Sequence, residues 1–416
     1  MRILHVCSNY FPATGGPQYI MKHFSEMLVN EYGDEVEVAT SNLYYGPEIP
    51  LHKTIAPAIE TIAKVKVHRF PVQRWHNGII QLANKLTAKL TGKPLPHAIT
   101  KYRNQMHAPG INKMMQCTDA DIIMATTASY NFADYGSWRW KTKSPKPFIL
   151  YGAIHFNTAG QCYAPFAERA KQADAYIANT SYEKEQLVQM GVVANKISVI
   201  GTGINPETLF AADSDIKAFK KVHGIDENDI VLGFVGRLKP GKGVDILLDA
   251  MEQIMHTHTQ VKLILAGSAT EYITVIQERI STKALPVLLL ADFDENLKPV
   301  LFHVMDMLVL PSTGESFGIV FLEAWACKKP VIGAGIGAVS TLIDDANDGL
   351  LFTPGNTASL IHAITQLVQN SPLRKQLGQA GYEKLMRLYT WPVIAKAYRD
   401  LYIHTIQEFN QRKSIS

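Results

Sequence analysis

Cysteine is scarce: Cys7, Cys117, Cys162 and Cys327 are scattered through 416 residues, with no CxxC pair and no histidine at metal-ligand spacing. That pattern excludes a structural zinc and a disulfide framework, and it points to a reducing, cytoplasmic setting. Long apolar runs are missing as well. Nothing approaches the roughly 20 apolar residues of a membrane-crossing helix. The opening MRILHVCSNYFP is too short in its apolar part for a secretory leader and reads as a first strand. Low-complexity tracts and short-period repeats are absent. A P-loop is excluded, because Lys242 is followed by Gly243 where GxxxxGK[ST] needs a hydroxyl residue. A net charge of +4 is too mild to make nucleic acid a default partner.

One absence is local. Between Glu60 and Asp119 there is no acid, while Lys64, Lys66, Arg69, Arg74, Lys85, Lys89, Lys93, Lys101, Arg103 and Lys113 all fall inside. Trp75, Ile79, Leu82, Leu86 and Leu90 recur at helical spacing, with Lys85 and Lys89 off that stripe. Two readings stand: an ordinary helix with its apolar face in the core, or an interfacial surface that meets anionic lipid through Lys85, Lys89 and Arg103.

What is present is an alternation of short apolar strands and helical stretches. ILHVCS, VEVATS, KVHRF, ADIIMAT, FILYGA, AYIAN and ISVIG, separated by segments such as QYIMKHFSEMLVNEY, form a βαβ series and so a parallel sheet covered by helices. The pattern restarts with IVLGFVG and continues through VKLILAG, PVLLLAD, MDMLVLPS, KPVIGAG and GLLFTPG. Two doubly wound units follow, with a boundary near residues 203–206. WPVIAKAYRDLYIHTIQEF is a closing amphipathic helix with no strand after it, free to pack back on the first unit. Tandem sheets of this kind face each other across a cleft, where their ligands bind.

Three stretches carry chemistry. In PSTGESFGIVFLEAWACKKPVIG, a helix expected to begin near Phe317 offers its free NH groups to the space beside Glu315, and such a terminus attracts phosphate. Glu323, among Val320, Phe321, Leu322, Ala324 and Trp325, needs a polar partner. That partner is a protein cation in a structural ion pair or the hydroxyls of a sugar, and the neighbouring helix start favours the sugar. From Phe317 to Glu323 is about 9 Å, the reach from sugar to ribose in a nucleotide sugar. In GFVGRLKPGKG, Arg237 and Lys242 sit in a slim glycine loop after a strand, placed to neutralise a diphosphate, with Lys239 read as solvated. In FPATGGPQ, Gly15 and Gly16 open a helix and allow close backbone approach. ADFDEN offers a DxD in Asp292 and Asp294, but Asp294 reads as a helix cap. VIGAGIGA matches GxGxxA without the acidic residue a dinucleotide site requires.

Together these residues resemble the large retaining glycosyltransferase family 4 with the GT-B fold. The resemblance spans nearly the whole chain and is strongest from Gly233 to Gly355. It rests on GFVGRLKPGKG, ESFGIVFLEA, KPVIGAGIGAVSTLIDDANDGLLFTPGN, the initial MRILHVCSNYFPATGG and the YTW before the last helix. It implies an α/β GT-B enzyme with an acceptor-side domain over residues 1–203 plus helix 391–416, and a nucleotide-sugar-binding domain over 204–390. It implies that Glu315 and the NH groups of Phe317, Gly318 and Ile319 hold the donor sugar and that Glu323 binds the ribose. Arg237 and Lys242, helped by Gly16, would bind the diphosphate, and His155 would stand beside the transferred sugar. Retention without a metal or other cofactor is implied, with a UDP- or GDP-type donor. The acceptor would be a saccharide or lipid-linked saccharide of bacterial surface polysaccharide or lipopolysaccharide synthesis, met at the inner face of the plasma membrane. Lys328 and Lys329 before Pro330, Phe156 after His155 and Thr202 depart from the family pattern; the first two departures are placed on the acceptor side. A GT-B nucleotide-sugar epimerase and a silent membrane-associated scaffold are the rivals. Arg237 and Lys242 far from Gly318, or Glu323 already locked to a protein cation, would overturn the assignment.

Overall fold

The computed structural model describes residues 1–13, 16–44, 54–56, 58–73, 75–93, 95, 107–126, 131–152, 154, 156 and 165–415, with the side chains of Trp75, His76, Asn77, Pro165 and Ile415 left aside. The fourteen described strands form two sheets. The first has the order β3-β4-β2-β1-β5-β6-β7-β8, from β1 (Arg2–Cys7), β2 (Glu35–Ser41), β3 (Ile59–Ile62), β4 (Val65–Phe70), β5 (Ile122–Thr126), β6 (Phe148–Tyr151), β7 (Ala175–Ala178) and β8 (Ile197–Val199). The second has the order β11-β10-β9-β12-β13-β14, from β9 (Ile230–Val235), β10 (Val261–Gly267), β11 (Val287–Ala291), β12 (Met307–Leu310), β13 (Val331–Ala334) and β14 (Leu350–Phe352). Every residue of β5 and β12 is buried, as central parallel strands covered on both faces must be.

Among the described strands all pairings are parallel except one. β3 runs antiparallel to β4 at the sheet edge, joined by a turn in which Ala63 and Lys64 both take positive φ. The sequence reading has no strand there, because IETI is short and an Ala-Lys turn lacks the Asn or Gly that announces such a hairpin.

Each sheet reverses its strand order once, between β1 and β5 and between β9 and β12. At such switch points the connections leave in opposite directions and open a crevice beyond the carboxyl ends of the strands. Helix α1 (Gly16–Tyr32) follows β1, the Arg237 loop follows β9, and the Glu315 loop follows β12. The chain pattern therefore delivers all three chemical stretches to crevice positions.

The terminal helix Trp391–Ile415 returns to the first sheet. Ile394, Ala395, Tyr398 and Tyr402 are buried in one cluster with α1 and β1. Tyr402 Oη lies 3.0 Å from His5 Nε2, and Arg399 pairs at 2.8 Å with Asp34, whose other oxygen meets the amino terminus at 2.7 Å. The two crossings between sheets lie side by side: Ile204 N donates to Tyr389 O at 2.9 Å, and Trp391 N donates to Ile204 O at 3.2 Å.

Helix α2 (Trp75–Thr91) differs from its neighbours in that none of its described side chains is buried. Of the basic residues in the acid-free stretch, Lys66 and Arg69 are held by Glu37 and Glu60 respectively. Arg74, Lys101 and Arg103 lie outside the described residues, as does the side chain of Trp75.

Candidate active site

The site is built from two helix starts and two loops. After the buried strand β12, Pro311 and Ser312 turn the chain outward and Glu315 follows in a half-buried loop. The next helix spans Ile319–Ala326, with Gly318 as its N-cap at φ 95°. It therefore starts two residues later than the sequence reading has it. Only glycine takes that backbone geometry freely, and a Cβ at Gly318 would stand 2.7 Å from the Phe321 ring. The Phe317 side chain is not part of the open site: it is buried and packs edge-on to Tyr389.

The Arg237 loop lies against this turn. Gly243, the N-cap of the following helix at φ 79°, leaves room for the Pro311 carbonyl, which would stand 2.3 Å from any Cβ there. That close approach lets Lys242 Nζ reach Glu315 Oε1 at 2.5 Å. Arg237 lines a hollow of about 290 Å³ together with Val320, Glu323 and Lys298. Arg237 thus stands beside the Ile319 helix, with Lys242 held to Glu315 in the adjoining loop.

Lys239 is not simply solvated. It is half-buried, and its pKa is lowered chiefly by the neighbouring Arg237, then by burial and Lys242, with Glu315 opposing. Three cations and one carboxylate share the loop, an arrangement that gains from an incoming anion.

Glu323 has a protein partner. Lys298, at the start of helix Lys298–Val304, pairs with Glu323 Oε1 at 2.7 Å and more loosely with Glu295 at 3.5 Å. Burial pulls the Lys298 pKa down, but the attraction of Glu323 and Glu295 outweighs it and the net shift is upward. The expectation that an external ligand must satisfy Glu323 is corrected in this respect. The pair is not sealed, however: the side chains of Glu323 and Lys298 keep 15 % and 24 % of their surface exposed. Both face the hollow and a larger interdomain cleft of about 720 Å³. A carboxylate with one oxygen held by an ammonium group retains lone pairs for a hydroxyl donor.

The first domain closes the cleft from the other side. Gly16 opens α1 opposite the Ile319 helix; a Cβ there would meet Ile319 Cδ1 at 3.8 Å. Gln18, Tyr19 and Lys22 line the same cleft. The Tyr19 pKa is raised mainly by burial, against a hydrogen bond with Trp391, with smaller opposing effects of Glu323 and Lys298. Lys298 and Tyr19 are residues that sequence reasoning missed, and Lys239 one that it read as merely solvated. The first sits in an unremarkable NLKPV, and no local signal singles it out.

Glu183 was also missed. It is buried, accepts from Tyr176 Oη at 2.7 Å and from the Asn179 NH at 2.9 Å, and lies so close beneath Gly152 that a Cβ there would meet its Oε1 at 2.0 Å. Its signal was the capping pattern Thr180-x-x-Glu183, realised with Thr180 accepting from the Glu183 NH. His155 itself lies outside the described residues.

One further correction concerns charged residues. Lys328 and Lys329 precede β13 and therefore lie at the end of the second sheet away from the cleft; Lys329 Nζ donates to His303 O at 3.0 Å. They do not face an acceptor. Asp294 caps the turn that leads into the Lys298 helix, and Asp292 accepts from the Ala269 NH at 2.9 Å. Among the described residues no group of acids, histidines and cysteines forms a metal site.

Two family models match in succession: Glycosyltransferase Family 4 over residues 15–208 and Glycosyl transferases group 1 over residues 215–384. The D-inositol 3-phosphate glycosyltransferase of Stackebrandtia nassauensis is 29 % identical over 248 residues, covering 57 % of this chain and 55 % of that one, so the chain spans about half the length of such relatives. Among solved structures, Anabaena HepE in complex with UDP superposes with a TM-score of 0.73 at 21 % identity, covering 96 % of this chain and 99 % of that one. The lipopolysaccharide outer core galactosyltransferase WaaB gives 0.66 at 17 % identity, covering 97 % and 99 %. With two facing Rossmann-like domains and both family models in order along it, the chain belongs to the family 4, group 1 glycosyltransferases of the GT-B fold.

Proposed function

We propose that the protein transfers a sugar from a nucleotide-diphosphate donor of the UDP or GDP type to a saccharide or lipid-linked saccharide, with retention and without a metal. Residues 1–203 with 391–416 form the acceptor side, and 204–390 the donor side. The observation that carries this reading is that Arg237, Glu323 and Val320 of the Ile319 helix line one hollow at the crevice of the second sheet, while Lys242 and Glu315 pair in the two loops that flank it.

In that reading Arg237, Lys242 and the NH groups after Phe317 stabilise the charge that develops on the leaving diphosphate, work that a metal ion does elsewhere. Glu315 with the NH groups of Phe317, Gly318 and Ile319 holds the sugar, Glu323 the ribose, and Gly16 lets the first domain approach the phosphates. To His155 we assign, from the family resemblance alone, the role of the histidine that acts on the transferred sugar. The acceptor hydroxyl comes in on the face the nucleotide leaves, and the departing phosphate oxygen accepts its proton. Glu315 is no covalent nucleophile here, and glycosidase rules for carboxylate separation do not apply. The likeness to HepE in complex with UDP supports a UDP-type donor, and the likeness to the lipopolysaccharide galactosyltransferase WaaB supports a role in cell-surface saccharide synthesis.

The ion pairs Lys242–Glu315 and Lys298–Glu323 favour a second reading, a silent scaffold in which these groups only hold loops together. Thermal shifts against UDP, GDP, ADP and their sugars separate the two. The enzyme reading expects one nucleotide to raise the melting temperature, a ligand at 100 times its Kd adding roughly 2.7 kcal/mol. It also expects Glu323→Ala to remove that shift. A melting temperature lowered by Glu323→Ala with no nucleotide response in either protein overturns it. Donor conversion without acceptor would instead mark an epimerase, and NMR of the product anomer tests retention.

A further inference from the structure

On α2 the inward and outward faces are the reverse of an ordinary surface helix. Its half-buried side chains are Ile80, Ala83, Asn84, Thr87 and Ala88, mostly small or polar, whereas Ile79, Leu82, Leu86 and Leu90 are 60 %, 60 %, 50 % and 81 % exposed. At about 100° per residue the four large side chains fall within one stripe of roughly 80°, and Lys85 and Lys89 lie along one flank of it. The account in which this apolar stripe is core therefore does not hold.

Three observations say what covers it. First, the surroundings are cationic: no acid occurs between Glu60 and Asp119, and among the described residues no ion pair engages Lys85, Lys89 or Lys93. Second, the stripe is a single ridge and not a groove, with Leu95 N tied back to Asn84 Oδ1 at 2.8 Å on the inward side. Third, α2 leaves the carboxyl end of β4, which is parallel to β2 and β1 in the same sheet, so it begins on the edge from which α1 enters the cleft. An apolar ridge flanked by unpaired lysines fits the boundary between headgroups and acyl chains of an anionic bilayer. No helix among the described residues is long and apolar enough to cross a membrane.

We infer that α2 is a membrane-docking element that lays Ile79, Leu82, Leu86 and Leu90 into an anionic lipid surface while Lys85 and Lys89 meet its headgroups. Docking there turns the acceptor side of the cleft toward the bilayer; this orientation rests on the lipid-linked acceptor proposed above, while the docking itself does not.

The test is co-sedimentation of the full chain with vesicles of phosphatidylcholine, with and without phosphatidylglycerol, at low and high salt. Binding is expected to the anionic vesicles, weakened by salt. Lys85→Gln with Lys89→Gln is expected to lower partitioning about thirtyfold, since each lysine contributes on the order of 1 kcal/mol near such a surface. Leu82→Ser with Leu86→Ser is expected to lower it by more than tenfold, with melting temperatures close to wild type because both positions are exposed. Equal sedimentation with both vesicle types, or no change in either double variant, overturns the inference. So does a dimer in analytical ultracentrifugation that Leu82→Ser with Leu86→Ser dissolves, since a second copy would then be the occupant. Vesicle binding without any nucleotide-induced thermal shift leaves docking standing and removes only the transferase reading.

Discussion

Replacing Lys298 by Met removes the cation that holds Glu323 while keeping an unbranched side chain of similar length. The pair is made at 2.7 Å by side chains that are mostly but not fully shielded. Its worth therefore lies between that of exposed pairs, about 0–1 kcal/mol, and the 3–5 kcal/mol lost when a buried pair is broken. We expect Lys298→Met to cost about 1–2 kcal/mol of stability. Glu323→Gln should cost less, because Lys298 retains Glu295. For binding the order reverses. A charged acceptor gives about 1.5–3 kcal/mol to a hydrogen bond, so Glu323→Gln should weaken the nucleotide tenfold or more, read by titration calorimetry with the nucleotide that the thermal-shift panel selects. If Lys298 orients Glu323, Lys298→Met should lose about tenfold as well. The double variant should then lose little more than the worse single one, a coupling of about 1–2 kcal/mol. Independent, multiplicative losses would show that the pair does not act as a unit. Intact affinity in Glu323→Gln would show that this carboxylate binds no ribose.

Glu315→Gln leaves Arg237, Lys239 and Lys242 without their shared carboxylate; nucleoside diphosphate binding should tighten by about 1 kcal/mol, roughly fivefold, while transfer is lost, and unchanged diphosphate affinity in calorimetry would contradict the cation cluster. Burial lowers the His5 pKa from 6.5 to about 3. Because the folded value lies below the unfolded one, this stability is present above pH 6.5 and is lost as pH falls toward 3. At pH 5 the loss should reach about 2 kcal/mol; urea melts at pH 7 and 5 should show it, with His5→Gln flattening the difference. At Gly203 a Cβ would stand 2.9 Å from Trp391 Cα. Gly203→Ala should therefore force apart the paired crossings at Ile204 and Trp391 and lower the melting temperature by several degrees, about 1–3 kcal/mol; an unshifted calorimetric transition would argue that the crossings give way freely.

The sequence by itself determined the strands, their parallel pairing and the restart of the pattern, because apolar runs with helical spacers admit few alternatives. It also determined that Gly16, Arg237 and Glu315 follow strands whose carboxyl ends open a crevice. It missed β3, whose Ala63-Lys64 turn has no compositional mark, and it began the Ile319 helix too early, because Gly318 acts as a cap only in a backbone geometry that spacing does not reveal. What only the tertiary structure decided is who meets whom: Lys298 on Glu323, Lys242 on Glu315, Glu183 beneath Gly152, and Tyr19 across the interface. Those partners lie between 25 and some three hundred residues apart along the chain, and a contact over such separations is set by sheet order and packing, which local pattern does not encode. The direction in which α2 turns its leucines was decided the same way: periodicity fixes that a helix has an apolar stripe, and only the neighbouring elements determine whether that stripe faces core or solvent.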